Sequence, residues 1–520
     1  MAGVNKSVCL VIPPSTFLLD ERVFMTLGIL KVAAVLEVAG IDVSVLDLSG
    51  ISNYEDLIRD YCANSGTVYF GVTATTPQLP AASNIMKVIR SEKPNARVIL
   101  GGPHVTLVNA AFKRELKLGY TGRASKALTQ LERSFDTLVA GDGEEAIFIA
   151  IAEDAPKVID ADIPSSNLFL SNAKLTELPL PARHLVDVDS YHYSIDGVRA
   201  LSMIAQLGCP FACGFCGGRE SPFLRRVRTR SSESVVAEMI HLYKSYGTRG
   251  FMMYDDELNV NQQMLDLMHL IHQAQDQLAT DFRLRGFIKS QLFNDVQAEA
   301  MFQAGFRWIL VGFESGSPRI LDNINKRATR DENTRCLEIA RRHNLKVKAL
   351  MSIGHPGESA ETVEQTRSWL LETAPDDFDL TIITTYPGTP YYDYAVPSAS
   401  IPETWVYKFD KTGDRLFQEE IDYAQVADYY KGDPNGGYHS FVHTDYLTSE
   451  ELVQLRDDVE KQVRQKLGIP YNVSAPAIRY EHSMGQIGTF PQNILRRANI
   501  SARNAKQEEP SRFAVHRTVS

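Results

Sequence analysis

The chain has 520 residues, 44% hydrophobic and 23% charged, with a formal net charge of −10 and a pI near 5.7. That length predicts two or three domains, each able to bury a core, and the acidic balance argues against a nucleic-acid-binding face, which is normally basic. No apolar run reaches the roughly 18 residues of a transmembrane helix, and no signal peptide precedes the first strand-like run. Six cysteines in a chain of this length make no disulfide framework. A reducing, cytoplasmic setting is therefore expected.

In the N-terminal third, apolar runs predict strands over 7–12, 42–48, 67–73, 97–100 and 134–140. Helical spacing predicts helices over 26–39 and 81–91. Strands this apolar, alternating with amphipathic helices, imply a parallel sheet covered on both faces. Ligands of such sheets bind at the carboxyl ends of the strands. Those ends read Pro13-Pro14-Ser15, Thr73-Ala74-Thr75-Thr76-Pro77, Gly101-Gly102-Pro103-His104 and Gly141-Asp142-Gly143-Glu144. Two adjacent glycines let a ligand lie against bare backbone, although a Gly-Gly turn alone is more often only a turn. His104 reads as a loop histidine hydrogen-bonded to backbone. Residues 151–198, with Leu178-Pro179-Leu180-Pro181, read as an extended linker.

Farther on, strands are expected over 199–206, 250–254, 282–288, 308–312, 346–353 and 380–384. Helices over 231–246, 261–277, 295–304 and 361–372 alternate with them, in about six βα units. The first strand leads into Cys209-Pro210-Phe211-Ala212-Cys213-Gly214-Phe215-Cys216. Three thiolates on one loop are one short of the four that usually hold a 4Fe–4S cluster, which leaves one iron open. Zinc is a competing reading, but Gly217-Gly218-Arg219-Glu220 supplies no second ligand pair. Three unrelated core cysteines are another. Cys9, Cys62 and Cys336 read as isolated buried thiols. Later strand ends carry Asp255-Asp256-Glu257, Gly312-Phe313-Glu314-Ser315-Gly316, Gly354-His355-Pro356-Gly357-Glu358 and Tyr386-Pro387-Gly388-Thr389. The acidic turn alone would read as solvated. Residues 400–447 are rich in Tyr, Asp and Gly, with Tyr429-Tyr430 and Gly436-Gly437-Tyr438. A helix is expected from 449 to about 467, capped by Thr448 or Ser449.

The C-x3-C-x-aromatic-C spacing, with Phe215 as the aromatic, resembles the signature of the radical S-adenosylmethionine (SAM) superfamily. The later strand ends resemble that superfamily's SAM-site motifs, in order. The N-terminal strand ends resemble the cobalamin-binding domain that precedes many radical SAM domains. The resemblance implies a 4Fe–4S cluster held by Cys209, Cys213 and Cys216, whose open iron chelates SAM. One electron from the cluster cleaves SAM into methionine and a 5′-deoxyadenosyl radical. It implies SAM contacts at Phe215, Asp255, Asp256, Glu257, Glu314, Ser315 and Gly354, with the acidic turn meeting the SAM ammonium. It implies cobalamin contacts at Pro14, Ser15, Thr75, Thr76, Gly101, Gly102, Gly141 and Glu144, and a side chain at Gly102 is expected to block the nucleotide tail. No Asp-x-His-x-x-Gly occurs, so cobalamin is expected without a protein histidine on cobalt.

The expected fold class is α/β: a doubly wound parallel sheet (1–150), a linker (151–198), a partial (β/α)6 barrel (199–395), a mainly helical C-terminal region (396–500) and a disordered tail (501–520). The implied reaction is methylation of an unactivated carbon of a small molecule, with reduced flavodoxin or ferredoxin as electron donor. The alternatives are ring contraction, cyclisation or rearrangement without methyl transfer, and a non-catalytic cobalamin or iron–sulfur carrier. No nucleic acid and no membrane span are expected.

Overall fold

The computed structural model describes residues 7–15, 21–427 and 438–470. Six strands form a parallel N-terminal sheet: β1 (Ser7–Ile12), β2 (Asp42–Asp47), β3 (Tyr69–Thr73), β4 (Arg97–Gly101), β5 (Thr137–Gly141) and β6 (Val158–Ala161). Their order is β2-β1-β3-β4-β5-β6. Alternate side chains of β1 serve opposite cores: Val8, Leu10 and Ile12 pack toward helix Leu27–Val38, whereas Cys9 and Val11 pack toward helices Tyr54–Asn64 and Leu79–Glu92. Chain order reverses between β1 and β3, and a crevice opens there at the carboxyl ends. Five strands match the sequence pattern closely. The sixth, β6, falls in the stretch expected as a linker. It has four residues, alternately buried and half-buried, too short to give a periodic signal.

The second sheet is built from β7 (Val198–Met203), β8 (Gly250–Met253), β9 (Arg283–Ile288), β10 (Phe306–Glu314), β11 (Lys346–Ile353) and β12 (Asp377–Ile382). These pair in sequence order, all parallel, as a partial barrel. The short strand Ser194–Ile195 pairs antiparallel with β7 at one edge. At the other edge, β12 has no further strand neighbour among the described residues, and helix Ser449–Leu467 supplies side chains in its place. Glu460 accepts from the Leu380 N–H at 2.7 Å, and Arg456 donates to the Leu380 carbonyl at 2.9 Å. Edge backbone that would otherwise be orphaned is thus satisfied. Thr448 caps the helix in a reciprocal box with Glu451. Between barrel and helix lies a small antiparallel sheet, Val396–Pro397 with β13 (Thr404–Lys408), β14 (Arg415–Glu419) and β15 (Val442–Thr444), which the Tyr-, Asp- and Gly-rich composition did not announce. Tyr429, Tyr430, Gly436, Gly437 and the tail from 501 lie outside the described residues. Among the described residues no helix is long and apolar enough to cross a membrane.

The turns after β5 and β6 grip the segment that follows the cysteine loop. Asp142 pairs with Arg228 at 2.6 Å, and both are buried. Asp142 also accepts from Leu170 N–H at 2.9 Å, and the Arg228 guanidinium lies over the Phe169 ring at 4.3 Å. Asp162 accepts from the Phe223 N–H. Leu107, on helix Pro103–Leu118, wedges between two barrel glycines. A Cβ at Gly217 or Gly388 would meet Leu107 Cδ2 at 3.1 or 2.8 Å. Arg228→Met strands a buried carboxylate, so it should cost about 3 kcal/mol and lower the urea midpoint. Arg59→Met, which removes an exposed pair with Glu55, should change stability by less than about 0.5 kcal/mol.

Candidate functional site

At the carboxyl ends of the N-terminal strands lies a cavity of about 640 Å3. Ser15, Thr75, Thr76, Gly101, Gly102, Gly141 and Glu144 all line it; Pro14 is buried without lining it. Its inner part is a slot between the sheet face of Leu10, Gly71, Ile99 and Val139 and the helical residues Gly28, Val32 and Ile147. Ile204, Leu207, Phe223, Tyr254 and Tyr386 face it from the barrel side. The loops after β1 and β3 are tied together by Gln78. Its Oε1 accepts from the Thr75 hydroxyl and N–H at 3.0 and 3.1 Å, and its amide donates to Pro13 O and Ser15 Oγ. Lys31 and Glu144 also line the cavity and are buried. Burial lowers the Lys31 pKa and raises that of Glu144, and the attraction between their charges opposes both shifts. An apolar slot with a glycine rim and hydroxyls at its mouth fits the nucleotide tail of a cobalamin.

The two rim glycines do different work. Gly102 has φ +96°, and a Cβ there would sit 2.6 Å from Thr73 Oγ1 and 2.9 Å from Ala74 N. That position belongs to the fold itself, which corrects the expectation that a side chain at Gly102 acts by filling ligand space. At Gly101 a Cβ would meet nothing nearer than 3.9 Å. His104 is buried and makes a side-chain contact of 3.0 Å with Thr76 Oγ1 rather than bonding backbone through its ring. Burial pushes it down to about 4, so it is neutral. No histidine lines the cavity among the described residues.

Cys209, Cys213 and Cys216 sit on the loop after β7, all as free thiols. The loop is held from several sides. Cys209 N–H donates to Leu224 O, Gly214 N–H to Ile324 O, and Gly218 N–H to Gly388 O. Asn325 donates to Ala212 O at 2.9 Å. Arg225 donates to the carbonyls of Cys209, Phe211 and Gly218. Burial pushes the Cys216 thiol up to about 12 and raises Cys209 as well. Two buried lysines stand nearby: Lys289, whose Nζ lies 4.1 Å from the Phe211 ring centroid, and Lys326. Three thiols on one braced loop beside cations fit an anionic iron–sulfur cluster, in which each thiolate meets its own iron.

The acidic turn divides its carboxylates. Asp255 accepts from the Ala205 N–H at 2.8 Å and from the Gln206 N–H, and burial pushes it up to about 7. Asp256 accepts from Gly208 N–H at 2.8 Å. Both brace the chain entering the cysteine loop. Like Asp255 Oδ2, Glu257 Oε2 is buried with no hydrogen-bond partner among the described residues. Burial pushes it up to about 7 against the pull of Lys326 and Lys289. Glu314, at φ +66°, pairs with Lys326 at 2.9 Å and accepts from Ser352 Oγ at 3.0 Å. Burial alone would raise Glu314, but Lys326 overrides it and holds the carboxyl below its ordinary value. Gly312 makes room for this pair, since a Cβ there would lie 2.6 Å from Glu314 Oε1. Ser352 continues to His355 Nε2 at 2.8 Å, and the Phe215 ring lies 5.4 Å from His355. The Ser315 hydroxyl bonds the Thr366 hydroxyl and accepts from the Ser317 N–H, each at 3.1 Å. Gly354 is buried at φ +88°. The structure therefore gathers Phe215, Glu257, Glu314 and Gly354 with Lys289, Lys326 and His355, while Asp256, Ser315 and one oxygen of Asp255 are engaged in bracing. Lys289, Lys326, Arg225 and Gln78 were missed from sequence. Lys289 directly follows the expected strand 282–288, but that strand already carries Arg283 and Arg285, so its charge did not stand out.

The family model of the radical SAM superfamily matches residues 203–370, and that of the B12 binding domain matches residues 21–132. An uncharacterized methyltransferase of Pyrococcus horikoshii is 30% identical over 328 residues, 63% of this chain and 69% of the relative. The chain belongs to the cobalamin-binding radical SAM family. Cofactors of this family member are a 4Fe–4S cluster, SAM and cobalamin. An anaerobic magnesium-protoporphyrin IX monomethyl ester cyclase of Cereibacter sphaeroides is 25% identical over 381 residues, 69% of this chain and 54% of that one. The radical SAM methyltransferase TsrM from Kitasatospora setae, solved with cobalamin and a 4Fe–4S cluster, shares the fold: TM-score 0.61, 17% identity, 94% of this chain and 92% of that one.

The two glycines separate stability from binding. Gly102→Ala should lower the melting temperature, because it forces a Cβ into the Thr73–Ala74 backbone. Gly101→Leu should leave the melting temperature within a few degrees and reduce cobalamin binding by at least about tenfold, about 1.4 kcal/mol, read from the absorbance of retained cobalamin after gel filtration.

Proposed function

We propose that this cobalamin-binding radical SAM enzyme methylates an unactivated carbon of a small molecule. The observation that carries the reading is a cavity lined from both the N-terminal domain and the barrel. The loops of the cobalamin-type domain face Tyr254, Tyr386 and Phe223 of the barrel across it, and Gly217 of the cysteine loop abuts Leu107 of the helix that starts at the diglycine. When bound, the cluster and SAM supply a hydrogen-abstracting radical and cobalamin supplies the methyl group. In this reading Cys209, Cys213 and Cys216 ligate the cluster. Ser15, Thr75, Thr76 and Gly101 border the cobalamin. Glu257, with no hydrogen-bond partner for its Oε2 among the described residues, receives the ammonium of SAM. Lys326 fixes Glu314 as a carboxylate, ready to accept from ribose hydroxyls. The aromatic wall keeps water from the reacting carbon. A reduced flavodoxin or ferredoxin delivers the electron.

Anaerobically reconstituted protein should hold about four irons per chain. Replacing Cys209, Cys213 and Cys216 together by Ala should abolish the charge-transfer absorption, and Cys336→Ala should not. With methyl-deuterated SAM and the natural substrate, the product should gain the labelled methyl and S-adenosylhomocysteine should form. A product of unchanged carbon count with no S-adenosylhomocysteine would favour rearrangement instead. Glu314→Gln should weaken SAM binding by about tenfold with iron content unchanged. Ser315→Ala, whose hydroxyl is engaged by Thr366, should stay within about twofold in the same calorimetric titration.

A further inference from the structure

Glu314 stands where β10 leaves the regular ladder. The register of β10 against β11 shifts between Gly312 and Glu314, and Glu314 lies in the left-handed region at φ +66°. Strand pairing alone therefore does not aim its side chain. Two tethers do. Lys326 donates to Oε1 at 2.9 Å, and Ser352 donates to Oε2 at 3.0 Å. The lysine is drawn by charge, but a serine hydroxyl rotates to suit its surroundings, so its proton has to be aimed by another group.

His355 is that group. Its Nε2 lies 2.8 Å from Ser352 Oγ, and the residue is fully buried. Lys326 holds the Glu314 carboxyl below its ordinary value, so both Glu314 oxygens only accept, and the single hydroxyl proton of Ser352 points to Oε2. The contact between Ser352 Oγ and Nε2 is then a hydrogen bond only if Nε2 is the donor. Burial pushes His355 down to about 4, so the ring is neutral and Nδ1 is bare. The bare nitrogen faces the Tyr391 hydroxyl at 3.4 Å. The protons thus run in one order, from Tyr391 through His355 and Ser352 to Glu314. The Phe215 and Tyr391 rings flank the imidazole with centroids 5.4 and 6.2 Å away, and Glu358 N–H donates to the His355 carbonyl at 2.9 Å. Tyr391 is anchored on the cysteine loop, where its N–H donates to Gly214 O at 3.3 Å. An apolar side chain at 355 could pack between the two rings, but it could not donate to Ser352.

We propose that His355 is a positioning residue for SAM: its Nε2–H orients the Ser352 hydroxyl, and Ser352 holds the Glu314 carboxylate in the orientation that receives the ribose. The inference rests on the reading of Glu314 as the ribose acceptor. The effect travels through Ser352, so what matters at 355 is a donor at the place of Nε2 rather than the bulk of the ring.

Calorimetric titration of the reconstituted holoenzyme with SAM tests this. His355→Leu should weaken SAM by about fivefold with iron content unchanged. His355→Gln, whose amide nitrogen reaches the place of Nε2, should stay within about twofold of the native protein. His355→Asn, whose amide stops near the place of Nδ1, should behave like His355→Leu. Ser352→Ala should also weaken SAM by about fivefold, and adding His355→Leu to it should cost less than about twofold more, because the path is already cut. If His355→Leu does not fold, the contrast between His355→Gln and His355→Asn decides. The proposal is overturned if a folded His355→Leu or His355→Asn binds SAM unchanged, if His355→Gln is as weak as His355→Asn, or if the Ser352 and His355 losses multiply. Where Glu314→Gln itself leaves SAM binding unchanged, the reading of Glu314 falls and the proposal falls with it. Where Glu314→Gln weakens SAM and His355→Leu does not, that reading stands and the proposal alone falls.

Discussion

The buried ion pair between Asp142 and Arg228 sets the relation of the two halves of the molecule. Asp142 belongs to the turn after β5, at the rim of the N-terminal cavity. Arg228 lies twelve residues beyond Cys216, the last cysteine of the loop. A buried pair is weak evidence for stability, because desolvation consumes most of the Coulombic gain. Its value here is positional. Neither charge tolerates being left alone in a dry interface, so the pair admits one register of sheet against barrel. Asp162 on the Phe223 N–H and Leu107 between Gly217 and Gly388 hold the same register.

With the halves so fixed, the distribution of charge behind the cavity obeys a simple logic. The cysteine loop and the carboxylates Glu257 and Glu314 would repel one another in a low-dielectric interior. Lys326 and Lys289 interleave with them, and each lysine is itself buried. Lys326 has a clear partner in Glu314. Burial would lower its pKa, but the carboxylate reverses the shift and raises it. The pair titrates far from neutrality on both sides, so its charges persist through the ordinary pH range. Glu257 shares those lysines less directly, which leaves its carboxyl the adaptable member of the set.

Much of the fold was legible because a parallel sheet buried on both faces writes near-continuous apolar runs, and β1 and β11 begin and end where such runs do. Short elements escaped. β6 and the small antiparallel sheet have few residues each, and a period of two cannot be told from chance over four or five positions. The cysteines were legible since their spacing alone carries the chemistry. Gly102 was misread, because what demands glycine there is the approach of Thr73 and Ala74, roughly thirty residues away along the chain and adjacent only after β3 and β4 pair. Ser315 sits in a motif whose residue types suit ligand binding, yet its hydroxyl is engaged by Thr366 and Ser317, and Asp255 commits one of its two oxygens to the N–H groups of Ala205 and Gln206. Lys326 left no mark in the sequence, since its partner Glu314 lies across a turn and a short helix.

Leu107 bears on any attempt to recombine such enzymes. A leucine on the N-terminal domain occupies space that two barrel glycines leave vacant. The donor of the knob and the donors of the hole are separated by more than a hundred positions in the chain. The two halves are therefore not exchangeable cassettes. A cobalamin-binding module grafted from a relative would need a side chain of the same reach at that point on its helix, and an acid in place of Asp142. Without them the graft would open a void and strand a charge at the seam. What ties the two halves together is thus a fit at these few positions, Leu107 with Gly217 and Gly388 and Asp142 with Arg228.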